Sequence, residues 1–156
     1  MKKKSRLSKA HVAALEIAKH LPKSVRRSPG PLYVSALPEH ISKGSVFKYT
    51  VPSKNARVMV SYLYMHPGSE ILDHMHTDEA EYYGEIIGHL PKAVKGVSCA
   101  GKMFQGPNPR GKRVAKCEIG ESHHVTASKQ ARIIKSVKVT PPLEKPSRQQ
   151  ILNFEK

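Results

Sequence analysis

The chain of 156 residues has no tryptophan, three phenylalanines and two cysteines. It also lacks any apolar run of membrane-spanning length, which excludes a helical membrane span; 38% hydrophobic residues with polar, basic ends is the composition of a soluble globular protein. Cys99 and Cys117 form no C-x-x-C pair. They make a poor disulfide framework, in keeping with a reducing, cytoplasmic compartment. Aromatic residues are 6% of the chain, with no RNP-like run and no C2H2 spacing, so the surfaces that stack bases or hold a finger helix are missing. The start, MKKKSRLSKAHVAALEIAKHLPK, has the basic head of a secretory signal. Glu16 and the flanking histidines interrupt its apolar stretch, however, and no small-residue cleavage site follows. No internal repeat is present.

What the chain does have is charge, unevenly placed. The formal net charge is +15, with nine Lys/Arg against one acid in residues 1–30, four against seven in 31–91 and fourteen against four in 92–156. The middle is a local acidic island between basic ends. Such ends keep a protein soluble and favour anions; they are also the only route to nucleic acid, since no helix-turn-helix is readable and one short N-terminal helix is too little to read a major groove.

Ser8 caps a short helix with apolar positions Ala13, Ile17 and Leu21 and a stop at Pro22. KSVRRSPGP then reads as a linker without regular structure. From about Ser45 the pattern becomes short runs rich in branched and aromatic residues: SVFKYTV, RVMVSYLYMH, AEYYGEIIG, KRVAKCE, HHVTA and ARIIKSVKVT, with turn-like HPGSE, HTDE and CAGKMFQGPNPRGK between them. Many short strands at this spacing predict an all-β sandwich or barrel. The division expected is a basic N-terminal extension over 1–30, a β-barrel over 31–140 and a proline-rich C-terminal arm over 141–156.

The acidic island contains GSEILDHMHTDEAEYYGEIIG, residues 68–88. In an extended strand His74 and His76 point to one face and Met75 to the other, so the two imidazoles can share one cation. TDEA makes a turn, and Glu81 returns on the adjacent strand as an oxygen ligand, giving a two-histidine, one-carboxylate hairpin with the ligand types of a first-row transition metal. Paired histidines on a solvated hairpin are the plainer alternative. In GESHHVTAS, parity selects His123: if it faces inward, so do Val125 and Ala127, leaving His124, Thr126 and Ser128 to water. Glu81, Tyr83 and Glu85 share parity, so Glu85 is a candidate general base and Tyr83 a candidate hydrogen-bond donor to substrate. The alternative is Tyr83 packed in the core and Glu85 at the rim beside a lysine.

These residues resemble the cupin superfamily. Gly68, His74, His76, Glu81 and Gly88 meet every fixed position of its first motif, G(X)5HXH(X)3,4E(X)6G. Its second motif, G(X)5PXG(X)2H(X)3N, is met in part: Gly120 and His123 match, Glu118 stands at the proline, Ala127 at the asparagine, and Gly111 is one residue off register. The resemblance spans roughly residues 45–140. It implies a small antiparallel jelly-roll barrel with a short N-terminal helical segment, His74, His76, Glu81 and His123 converging on one divalent metal (Mn, Fe, Zn, Ni or Co), and a homodimer.

Three nitrogens and one oxygen leave a five- or six-coordinate metal room for substrate oxygens or O2. The function expected is a metal-dependent enzyme of isomerase or lyase type on a small, oxygen-rich anionic substrate. An Fe-dependent dioxygenase and a non-catalytic small-molecule-binding module are the alternatives. Lys102, Arg110, Lys112 and Arg113, on the long connection between the motifs, would draw an anion to the barrel mouth. An exposed solubilising loop is the other reading of that segment.

Overall fold

A computed structural model of the chain describes residues 7–26, 32–85, 97–99, 102–103, 106–107, 113–127 and 129–142; of residues 85, 97–99, 102–103, 106–107 and 113–114 it describes the backbone alone. Among the described residues two helices, α1 (Lys9–His20) and α2 (Lys23–Arg26), precede twelve strands. These are β1 (Ser35–Ala36), β2 (Ser42–Lys43), β3 (Val46–Val51), β4 (Val58–Met65), β5 (Glu70–His74), β6 (Ala80–Glu85), β7 (Val97–Cys99), β8 (Lys102–Met103), β9 (Gly106–Pro107), β10 (Arg113–Cys117), β11 (His123–Thr126) and β12 (Arg132–Val139). Among the described residues they form a seven-stranded sheet, β1-β3-β4-β12-β6-β10-β9, and a five-stranded sheet, β2-β5-β11-β7-β8. Every pairing is antiparallel.

The two sheets close on one core. Val46, Leu63, Met65, Tyr83, Ala115, Cys117 and Ile134 from the larger sheet meet Ile71, Val125 and Ala127 from the smaller. Alternation decides which side chains go in: along β3, Val46 joins this core while Phe47, Tyr49 and Val51 face outward. The outward face is not left to water, because α1 lies on it. Ala13 and Ile17 are 0% exposed and pack with Phe47, Tyr62, Tyr64 and Ile133. This explains why RVMVSYLYMH shows no clean polar alternation: from Ser61 to Met65, β4 is covered on both faces.

The helix starts where its cap predicts, with the Ser8 hydroxyl accepting the His11 N–H at 3.2 Å. Lys19 and His20 occupy its last turn, where cations are favoured. The expected linker is corrected in its first half. Pro22 ends α1, and its carbonyl then accepts the N–H groups of Val25 and Arg26, so KSVR forms one helical turn. Residues 27–31 lie outside the described residues, as does the arm from residue 143 onward. Among the described residues no helix is long and apolar enough to cross a membrane.

A second correction concerns the histidine hairpin. β5 belongs to the smaller sheet, between β2 and β11, whereas β6 belongs to the larger, between β12 and β10. Thr77, Asp78 and Glu79 therefore carry the chain across from one sheet to the other. A hairpin would set the imidazoles and Glu81 side by side on one surface. The crossing sets them face to face across the interior.

Candidate metal centre

Each ligand candidate is placed by a different local device. His74 ends β5 and pairs in register with His123 of β11, bringing their rings to 4.2 Å between centroids. His76 lies just beyond the strand, yet it turns to the same side: the His74 and His76 rings are 5.1 Å apart while Met75, between them, is 57% exposed. Its carbonyl accepts the Gly120 N–H at 2.8 Å, tying it to the turn before β11. Gly120 has φ +76, a conformation that L residues with a side chain adopt at a cost. Glu81 reaches in from β6 and is 3% exposed.

The four side chains meet. One ligand atom from each of His74, His76, Glu81 and His123 can be chosen so that all lie within 4.8 Å of one another. Ligands about 2.1 Å from a shared ion stand roughly 3–4 Å apart, so a small contraction closes the set around a cation. The tautomers suit it. His74 Nδ1 is 2.8 Å from the Leu72 carbonyl and His123 Nδ1 is 3.1 Å from that of Glu121, so each donates to backbone; His74 then turns its Nε2 lone pair inside, while His123 Nε2 stands 3.3 Å from Glu81 Oε2 and donates to it where no cation takes that proton's place. His76 Nε2 faces Glu81 Oε2 at 2.8 Å, and its Nδ1 has Glu79 Oε1 at 3.4 Å. This His/Glu group fits a metal site by donor type, spacing and tautomer.

Electrostatics follow the same plan. Burial raises the Glu81 carboxyl, but hydrogen bonds from His123, His76 and Ser136, with the Lys138 charge, outweigh it and hold the group far below the usual carboxylate range. Burial pushes the His74 imidazole down, keeping it neutral. His123 is moved up despite burial, through Glu81 and the Glu121 carbonyl. Two acids of the island are thereby accounted for: Glu81 faces the imidazoles of His76 and His123, and Glu79 pairs with Lys138 at 2.6 Å.

Parity at β11 is as expected, with His123, Val125 and Ala127 buried and His124 turned out to Asp73, 3.3 Å away. Where the second cupin motif has proline, the Glu118 N–H is used by the Glu121 carboxylate at 2.8 Å. That bond closes the turn by other means. Tyr83 is 1% exposed, with its ring 5.8 Å from that of His123. The side chains of Glu85, Lys102 and Arg113 lie outside the described residues, as do Gly88, Arg110, Gly111, Lys112 and Ser128. Residue by residue the sequence missed Ser136, Lys138 and Glu79, although Ser136 and Lys138 share the parity of inward-facing Ile134. His66 and Tyr64 stand apart from the centre: Tyr64 packs under α1, and the His66 ring lies edge-on to it at 4.9 Å.

No protein-family model matches the chain, and no curated protein matches it. Solved structures do. The chain is similar to a predicted oxalate decarboxylase from Thermotoga maritima, with TM-score 0.56 and 18% identity over 70% of this chain and 94% of that one. It is similar to a cupin-2 domain from Rhodospirillum rubrum, with TM-score 0.54 and 14% identity over 83% and 84%. A cupin 2 conserved barrel domain protein from Rhodopseudomonas palustris gives TM-score 0.54 and 11% identity over 82% and 88%. At these identities the likeness is one of fold. The chain has the cupin barrel fold, as its motifs imply.

Proposed function

We propose that this chain is a metal-dependent enzyme of isomerase or lyase type. It holds one divalent transition metal (Mn, Fe, Zn, Ni or Co) on His74, His76, Glu81 and His123 and acts on a small, oxygen-rich anionic substrate. The observation that carries this reading is the convergence of four ligand atoms within 4.8 Å, two of the imidazoles having their second nitrogen tied to backbone. When bound, the cation supplies Lewis-acid polarisation of a substrate oxygen and orients it. Tyr83, on the same strand face as Glu81 and beside His123, donates a hydrogen bond to that substrate. Glu85, two residues further along β6, is the proposed general base.

Oxygen uptake together with metal identity tests the reaction class. Mn, Zn or Co in the purified protein with no oxygen uptake is the expected result. Fe(II) with oxygen consumption coupled to substrate loss would replace the isomerase or lyase reading with a dioxygenase. Tyr83→Phe is expected to slow turnover while metal content stays unchanged. Loss of metal in that variant would move Tyr83 from substrate contact to support of the centre.

A further inference from the structure

The three imidazoles of the centre are not anchored alike. His74 ends β5 and His123 opens β11, the strands pair in register there, and each ring gives its Nδ1 proton to a backbone carbonyl. His76 lies beyond β5, and its Nδ1 meets side chains instead: Glu79 Oε1 at 3.4 Å and Lys138 Nζ at 3.3 Å. The ammonium and the carboxylate are themselves 2.6 Å apart, so the three groups close a triangle. Glu79 is the last residue of the crossing between the sheets, and Lys138 stands opposite Glu81 in the register of β12 with β6. Their bond pins the segment that follows His76 to the sheet that carries Glu81. Neither residue is a fixed position of either cupin motif.

The chemistry of the three groups decides which of them serves the ring. His76 Nε2 is turned to Glu81 and the cluster, so a cation held there leaves the ring's proton on Nδ1. Only the carboxylate can accept it, since an ammonium has three donors and no acceptor. Lys138 has a different reason to be there. One imidazole away from a divalent cation, its positive charge by itself opposes metal binding. What it does in return is hold Glu79, by a charge-assisted bond that fixes the carboxylate beside the ring.

Resting on the metal-centre reading above, we infer that Glu79 and Lys138 are a positioning pair for His76. Glu79 accepts the Nδ1 proton of the metal-bound imidazole, which orients the ring and strengthens it as a ligand, and Lys138 holds Glu79 in place to do so. His76, the one imidazole without a backbone anchor for its ring, is thereby fixed by two side chains. Partners of this kind change metal affinity by about 10- to 100-fold.

The test loads the full chain with Zn(II) or Co(II) and measures chelator competition, the Co(II) visible spectrum and melting in wild type, Glu79→Gln, Lys138→Met and Lys138→Arg, with Asp78→Asn as a control on the same turn. Glu79→Gln and Lys138→Met are each expected to weaken metal binding by about 10- to 100-fold and to alter the Co(II) spectrum. The sign in Lys138→Met separates positioning from charge. Removing a positive group near a cation tightens binding by charge alone, so weaker binding reports the loss of Glu79 from its place. Lys138→Arg is expected to keep wild-type affinity, and Asp78→Asn to leave affinity and spectrum unchanged. Lys138→Met that binds Zn(II) as tightly as wild type or tighter, or Glu79→Gln with wild-type affinity and spectrum, overturns the inference alone. Asp78→Asn that weakens binding as much as Glu79→Gln overturns it too, by assigning the effect to the net charge of the turn. If Lys138→Met does not melt cooperatively, Lys138→Gln takes its place under the same criteria. A cooperatively folded wild type that takes up neither metal overturns the metal-centre reading, and the inference with it.

Discussion

Ser136 of β12 donates its hydroxyl to Glu81 Oε1 on the neighbouring strand, while the other oxygen of that carboxylate faces His76 and His123. One carboxylate is thus divided between the sheet that carries it and the imidazoles opposite. Ser136→Ala strands Oε1 in a buried site and frees the carboxylate to rotate. We expect chelator competition to show metal affinity lowered by about tenfold or more, with the fold intact. Unchanged affinity would mean that Ser136 does not orient the ligand.

In the metal-free protein the pH dependence has a definite sign. Burial opposes the charge on His123, but the hydrogen bond to Glu81, the Glu121 carbonyl and the charge of Glu81 outweigh it, so His123 holds its proton above the ordinary 6.5. The folded state binds that proton more tightly than the unfolded chain does. The resulting stability is complete below the ordinary value and lost as pH rises through the raised one. His74 works oppositely, since its lowered value contributes stability above the ordinary range that is lost as pH falls through it. Denaturant melts in chelator should show His123→Gln costing more at about pH 5.5 than at about pH 8.5. Equal costs would dismiss the His123–Glu81 ion pair.

Two glycines separate backbone strain from crowding. Gly120 has φ +76 with nothing within 4 Å of an added Cβ, so Gly120→Ala costs only the conformation, about 1–2 kcal/mol. Gly44 has φ +80, and its Cβ would stand 2.8 Å from Ser69 Oγ and 3.1 Å from Ser69 Cα. That hydroxyl bridges the Ser45 N–H and carbonyl, each at 3.0 Å, and cannot move freely. Chemical denaturation should find Gly44→Ala worse than Gly120→Ala by at least about 1 kcal/mol. Equal losses would mean that Ser69 yields.

Much of the barrel was legible because its long strands carry their own pattern. Val46–Val51, Val58–Met65, Arg132–Val139 and the Ser8 cap all declare themselves locally. Parity alone predicted which of His123 and His124 turns inward. The two- and three-residue strands did not declare themselves, since β1, β2 and β7 to β9 exist only through pairing with neighbours. The same holds for the crossing at Thr77–Glu79. A turn that closes a hairpin and one that changes sheets use the same residues, and the difference lies in β5 pairing with β2 and β11 while β6 pairs with β12 and β10. Ser136 and Lys138 became visible at the centre only once that long-range pairing set them beside Tyr83 and Glu81.

The outer layer is separable from the site. Ile17, fully buried between α1 and the seven-stranded sheet, sits on the face opposite the ligand cluster. Ile17→Ala should cost about 2–5 kcal/mol in a denaturant melt while metal stoichiometry stays the same. A parallel loss of metal would couple the helix to the centre.

Elemental analysis of the untagged protein, purified without added metal beside a His76→Ala variant, bears most directly on the central claim. The account predicts near-stoichiometric divalent transition metal in the wild type and its loss in the variant, with both proteins folded. A wild type that holds no transition metal even after reconstitution, or a variant that holds as much as the wild type, would contradict it.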